Sequence, residues 1–265
     1  MDSDCTPFFS IVTITLNDLA GWLVTRASIE AQSVADFEWI VIDGASTDGT
    51  RAELASCRLP NLVYTSEKDT GLYNAMNKGL AQTRGRYVIF MNAGDGFADP
   101  NVLAAVKQRI STTDRPPDIV YGDALEKTTG GDLLLKKARP IEWLSYGMPT
   151  HHQAIFYSGA SLAPLRFDES FRVSGDYDLT CKIYRKGGGA LSLDFPVCTF
   201  SRGGVSETKS HLGRSENWRV QRDVLGHRLP RRLTTRSAYL ASFLMRTRLR
   251  GVYDLLRFQH GHGSR

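Results

Sequence analysis

The chain alternates between unbroken apolar runs and segments whose apolar residues recur every three or four positions. FFSIVTITL (8–16), FEWIVID (37–43), NLVYTSE (61–67) and RYVIFMN (86–92) are short, apolar and β-branched, the pattern of strands buried on both faces. Between them, residues 18–32 have helical spacing, with Leu19, Trp22, Leu23 and Ala27 expected on one side. Ser46, Thr47 and Asp48 are capping-type residues ahead of a short helix over 51–57. Residues 72–83 read as a third helix, stopped by Gly85. Buried strands separated by helices predict an α/β fold, a mostly parallel central sheet flanked by helices.

Ligands of such sheets bind beyond the carboxyl ends of the strands. All four ends are polar here: Thr15-Leu16-Asn17; Asp43 through Gly49; Glu67-Lys68-Asp69-Thr70-Gly71; and Asn92-Ala93-Gly94-Asp95-Gly96. One such cluster is ordinary turn chemistry; four along one rim point to a site. After Pro100 the pattern loosens. DIVYGDA (118–124), AIFY (154–157) and LSLDFPVCTF (191–200) read as strands, the second half of 167–187 as a helix, and 211–258 as helical and arginine-rich.

Composition changes this picture at one point. The 265 residues are 42% hydrophobic and 23% charged, an ordinary globular balance. The net charge of +5 is uneven, however: residues 202–265 carry 14 basic and 4 acidic side chains, against 19 and 24 in residues 1–201. A basic tail on a mildly acidic body implies a negative partner surface. No apolar run reaches the roughly 18 residues of a membrane span. The start, MDSDCTPFF, lacks the features of a signal peptide. Cys5, Cys57, Cys181 and Cys198 show no C-x-x-C spacing and are expected to be free thiols in a reducing cytosol.

Three carboxylates stand where chemistry is expected. Asp43 can accept hydrogen bonds from a nucleobase or ribose, or simply cap the next helix. Asp95 lies between glycines after a very apolar strand, where it would share a magnesium ion with substrate phosphates or only shape a turn. Asp176, in S-G-D-Y-D-L at a helix start, suits a general base that must stay ionised, or an N-cap. Asp178 follows on the same turn and ranks lower. A G-x-S-x-G elbow, a Walker A loop and a G-x-G-x-x-G after the first strand are all missing, so hydrolase, ATPase and dinucleotide readings are weak.

Taken in order, these motifs resemble glycosyltransferase family 2, whose members adopt the Rossmann-like GT-A fold. The resemblance covers roughly residues 8–206 and rests on Thr15-Leu16-Asn17, Ile42 through Thr50, Asp69 through Gly79, and Asn92 through Asp95. The N-A-G-D variant, His152-Gln153 before a strand, and S-G-D-Y-D-L are similar to bacterial exopolysaccharide (colanic-acid-type) enzymes. The resemblance implies an inverting transfer from a nucleotide diphosphate sugar, most often UDP-linked. Thr15 and Asp43 would contact the nucleoside. Asn17, Asp69, Tyr73, Asn77, Lys78, Asn92 and Arg202 would contribute to nucleotide-sugar binding, Arg202 from a loop that could close over the diphosphate. Asp95 would hold Mg²⁺ or Mn²⁺, and Asp176 would be the base. His152 and Gln153 would line the acceptor side, unless the histidine is structural. Asn92 and Gly94 stand where acidic residues are common, which implies weaker metal binding; Gly44 stands where a second aspartate is common.

The implied organisation is a catalytic domain over 1–206, with a nucleotide-sugar half (8–100) and an acceptor half (101–206), followed by a basic helical extension over 207–265. Arg231, Arg232, Arg236, Arg246, Arg248, Arg250 and Arg257, interleaved with leucines and aromatics, would either lie in an anionic membrane interface or dock on the catalytic domain. The first case fits a lipid-linked saccharide acceptor and a cytoplasmic enzyme peripheral to the inner face of the membrane. Nucleic acid is not an expected partner, for no recognised module accompanies the charge. Two other readings remain: a sugar-phosphate nucleotidyltransferase, which would need a glycine-rich phosphate loop after the first strand, and a non-catalytic nucleotide-sugar-binding protein.

Overall fold

The computed structural model describes residues 6–128, 130–201, 210–231, 233, 234 and 237. Its centre is a nine-stranded sheet in the order β3-β2-β1-β4-β8-β6-β9-β5, with β7 paired to β6. The chain runs outward through β1 (Phe9–Thr15), α1 (Leu19–Glu30), β2 (Phe37–Asp43), α2 (Thr50–Ser56) and β3 (Leu62–Ser66). It then returns through α3 (Leu72–Leu80) to place β4 (Tyr87–Phe90) on the other side of β1. These four strands pair in parallel. The reversal beside β1 opens a crevice at the strands' carboxyl ends, where open α/β sheets bind ligands.

The second half is mixed. The short β5 (Gly96–Phe97) and α4 (Val102–Ser111) lead into β6 (Ile119–Lys127) and β7 (Leu133–Lys136), then β8 (Ile155–Ser158) and α5 (Gly159–Leu162), α6 (Gly175–Tyr184) and β9 (Ala190–Ser201). β8 pairs antiparallel with both β4 and β6, and so joins the two halves. A last helix, α7 (Ser210–Asp223), packs back on this body, with Val220 fully buried and Gln221 and Glu216 nearly so.

Successive strand residues face opposite sides, and both sides are covered. Phe9, Ile11, Val41, Ile89 and Met91 meet α1 and α4 through Trp22 and Val106; Val12, Ile14, Ile42, Val88 and Phe90 meet α3, α6 and α7 through Met76, Leu179 and Val220. Trp22 and Trp39 stack with centroids 4.9 Å apart, fully buried. Such a pair adds about 0.5–1.5 kcal/mol beyond its area. Helix α1 departs from the expected face. It buries Gly21, Trp22, Thr25 and Ile29, while Leu23 and Ala27 are exposed. Thr25 lies on this buried face, its hydroxyl donating to Asp95 O at 2.5 Å.

The sheet's amino end holds a buried carboxylate too, but a saturated one. Glu38 accepts from Ser10 Oγ at 2.6 Å, from the Arg84 backbone at 2.6 Å and from its guanidinium at 3.0 Å. That end is a clasp for the fold; the carboxyl end is built differently. Cys57, Cys181 and Cys198 are unpaired, and Cys5 lies outside the described residues. Among the described residues no helix is long and apolar enough to cross a membrane.

Candidate active site

Register aligns the first part of the rim. Thr15, Asp43 and Ser66 are direct neighbours across the ends of β1, β2 and β3. Asp43 is fully buried; it accepts from the Ser46 N–H at 3.1 Å and from Ser66 Oγ at 2.6 Å. Thr15 Oγ1 beside it is buried without a partner among the described residues, an orphan that points to a ligand or water. Asn17 lies at the exposed rim, its Oδ1 accepting from the Thr47 N–H at 2.8 Å. Ala45 holds a left-handed φ of 65°, which costs a side-chain-bearing residue roughly 1–2 kcal/mol. Asp69 explains Gly44: a Cβ there would lie 2.6 Å from Asp69 Oδ2. The second aspartate common at this position would displace Asp69.

The crevice side is formed by the turn after β4. Thr25 of α1 brackets it, donating to Asp95 O at 2.5 Å and accepting from the Gly94 N–H at 3.1 Å. Asp95 is 6% exposed. Gln153 Nε2 donates to its Oδ2 at 2.5 Å and the Ser201 N–H to its Oδ1 at 3.2 Å. Burial nevertheless pushes its carboxyl up to about 6, because the anion is removed from water with only neutral donors around it.

The next residue toward the amino end of the same 3-10 turn (His152–Ala154) serves the third carboxylate. Asn92 Nδ2 lies 3.2 Å from His152 Nε2, and His152 Nδ1 lies 3.5 Å from Asp176 Oδ2. With the amide donating, Nε2 is the acceptor and the Nδ1 proton faces the carboxylate. Asp176, in the first turn of α6, is also 3.4 Å from the hydroxyl of Tyr73. That hydroxyl accepts the Gly175 N–H at 2.8 Å, and burial holds its pKa far above the ordinary tyrosine value. Gly175 allows this approach, since a Cβ would meet the Tyr73 ring at 2.8 Å.

One turn thus reaches both carboxylates, and Tyr73, Asn92, Asp95, His152, Gln153 and Asp176 form one connected group. Other sequence candidates are engaged nearby rather than in it. Asn77 braces the segment before α6, bonding both N–H and C=O of Phe167. Lys78 pairs with Glu67 at 2.7 Å and donates to Lys68 O. Asp178 is buried against Lys182 at 2.6 Å. Arg202 lies outside the described residues, as do most of the tail arginines. Thr25, Ser66 and Ser201 escaped the sequence reading, being single hydroxyl or backbone donors with no motif around them.

A divalent cation fits this donor set in a limited way. Among the described residues no group of three or more His, Cys, Asp or Glu side chains could cage a metal. Asp95 supplies one carboxylate, and Asn92 Oδ1 is a buried oxygen without a partner. One carboxylate with substrate phosphates is a common way to hold magnesium.

Comparison with known proteins bears on the family and the fold. Residues 10–168 match the family model "Glycosyl transferase family 2". A "PGL/p-HBAD biosynthesis glycosyltransferase" of Mycobacterium tuberculosis is 32% identical over 187 residues, 67% of this chain and 70% of that protein. Two solved structures share the fold. One is Staphylococcus aureus TarS 1–349 in complex with UDP-GlcNAc (TM-score 0.67, 19% identity, 82% of this chain and 65% of that one). The other is the mannosyltransferase PcManGT of Pyrobaculum calidifontis in complex with GDP-Man and Mn²⁺ (TM-score 0.60, 15% identity, 94% and 84%). The chain belongs to glycosyl transferase family 2 and is a glycosyltransferase of GT-A fold.

Proposed function

We propose that the enzyme inverts the anomeric centre as it moves a sugar from a nucleotide diphosphate sugar, UDP-linked, to a hydroxyl of a lipid-linked saccharide in cell-surface polysaccharide assembly. The observation that carries the reading is the shared turn: Gln153 bonds Asp95 and its neighbour His152 reaches Asp176. Asp95 would hold Mg²⁺ or Mn²⁺, a cation that neutralises charge on the departing diphosphate. Asp176 takes the proton of the acceptor hydroxyl as its oxygen attacks, with His152 and Tyr73 orienting the carboxylate. Thr15 and Asp43 receive the nucleoside at the β1–β2 rim, where the unpartnered Thr15 hydroxyl awaits a ligand. Burial of this rim excludes water and strengthens each of these interactions.

The mycobacterial relative's name supports a glycoconjugate product, and the UDP-GlcNAc and GDP-Man complexes of the structural relatives support a sugar nucleotide as donor. The basic segment following α7 would rest on an anionic membrane surface, bringing a lipid-borne acceptor to the crevice. Incubation with UDP-, GDP- and dTDP-sugars plus Mn²⁺, followed by NMR of the product's anomeric proton, tests the reading. Nucleoside diphosphate release with inversion is expected; retention would sink the in-line mechanism.

A further inference from the structure

Helix α6, which bears Asp176, begins without a cap of its own. The first N–H groups of a helix have no partner within it, and the Ser174 side chain caps none of them. Its hydroxyl instead donates to Gly213 O of α7 at 3.2 Å. The segment leading into the helix is held instead from far along the chain. Glu216 of α7, 8% exposed, accepts three consecutive backbone N–H groups: Arg172 on Oε1 at 2.8 Å, then Val173 and Ser174 on Oε2 at 2.9 and 2.8 Å. The next N–H, that of Gly175, goes to the Tyr73 hydroxyl at 2.8 Å.

Three residues further along α7, on the same face, Arg219 holds the other end of the segment. It pairs with Asp168 at 2.6 Å, donates to Ser170 Oγ at 2.8 Å and covers the Phe171 ring at 4.2 Å. Glu216 and Arg219 therefore grip 168–174 from outside the sheet. A carboxylate receiving several N–H groups makes charge-assisted bonds, stronger and shorter than neutral ones. Such a clamp fixes position rather than merely adding contact.

We propose that Glu216 is a positioning residue for the transfer: from the carboxyl-terminal helix it sets where α6 starts, and so where the Asp176 carboxylate meets the acceptor hydroxyl. The inference rests on Asp176 being the base. Asp176 and Glu216 both lie beyond the residues 10–168 that define the family match, so this clamp belongs to the chain's own later half. A displacement of about 1 Å at a reacting group can cost on the order of 100-fold in rate.

The test uses the full chain and the sugar nucleotide that supports nucleoside diphosphate release by the wild type. Turnover, donor KM and melting temperature are measured for E216Q, V220A and D176N. Val220 is fully buried on the same helix, and V220A loosens α7 without touching the clamp. For E216Q the expected result is a kcat lower by about 10- to 100-fold with donor KM within about threefold, whereas V220A loses melting temperature but keeps kcat. Should E216Q not fold, E216D keeps the charge, shortens the reach and gives the same split to a smaller degree. Full kcat in folded E216Q overturns the proposal. So does a parallel fall of kcat, donor affinity and melting temperature in E216Q, which marks a general loosening rather than a misplaced base. Wild-type turnover in D176N would instead remove the base assignment on which the clamp acts.

Discussion

His152 Nδ1 stands 3.5 Å from Asp176 Oδ2, while its other ring nitrogen faces Asn92 at the end of β4. The imidazole thus links Asn92, at the end of β4, to Asp176 in the first turn of α6. His152→Ala is expected to lower kcat by about tenfold or more, a part of the roughly 10²–10⁴ that a positioned acid or base supplies. Donor KM should stay near its wild-type value. Steady-state kinetics check this; an unchanged kcat would make the ring structural only.

The adjacent His151 is turned away from the crevice. It stacks on Phe200 at 4.1 Å, and its Nε2 lies 2.9 Å from both Glu126 and Lys136. Burial holds its pKa down at about 4. The unfolded chain then binds a proton near pH 6.5 that the folded chain refuses, so stability is full above that pH and falls toward pH 4. At roughly 1.4 kcal/mol per unit of pKa the loss is on the order of 3 kcal/mol. Denaturant melts from pH 7 to pH 4 should show it, and His151→Phe should flatten the slope.

Gln153→Glu would place a second carboxylate beside Asp95. Their repulsion lowers stability without metal, and the paired oxygens bind cations more tightly. Thermal melts with and without MnCl₂ should therefore show a larger Mn²⁺-dependent rise for the variant than for the wild type. Equal rises would remove Asp95 from the cation site.

Ala45→Gly removes the cost of the left-handed φ at the Asp43 rim. A gain of about 1 kcal/mol is expected, or roughly 2–4 °C in melting temperature for a chain of this size.

What could be read ahead of the structure follows from how parallel strands end. Each β-strand ends in one contiguous polar stretch, so Asp43, Asp69, Asn92 and Asp95 stand out in the sequence as clusters. Asp176 and His152-Gln153 were visible because their local motifs are short and ordered. Thr25 was not, since a threonine on a helix reads as surface; here its hydroxyl shapes the Asp95 turn. Nor was Glu216, whose partners lie 42–44 residues away. Helix α4 and strand β7 were missed too, in the stretch after Pro100 where the apolar pattern loosens.

Replacing Asp176 by Asn tests the central claim most directly, because the amide keeps the shape and cannot take a proton. With the sugar nucleotide that supports nucleoside diphosphate release, turnover should fall by about 100-fold or more while donor binding, followed by thermal shift, stays intact. Turnover within twofold of wild type in D176N, or no release by the wild type from any UDP-, GDP- or dTDP-sugar, would contradict the account.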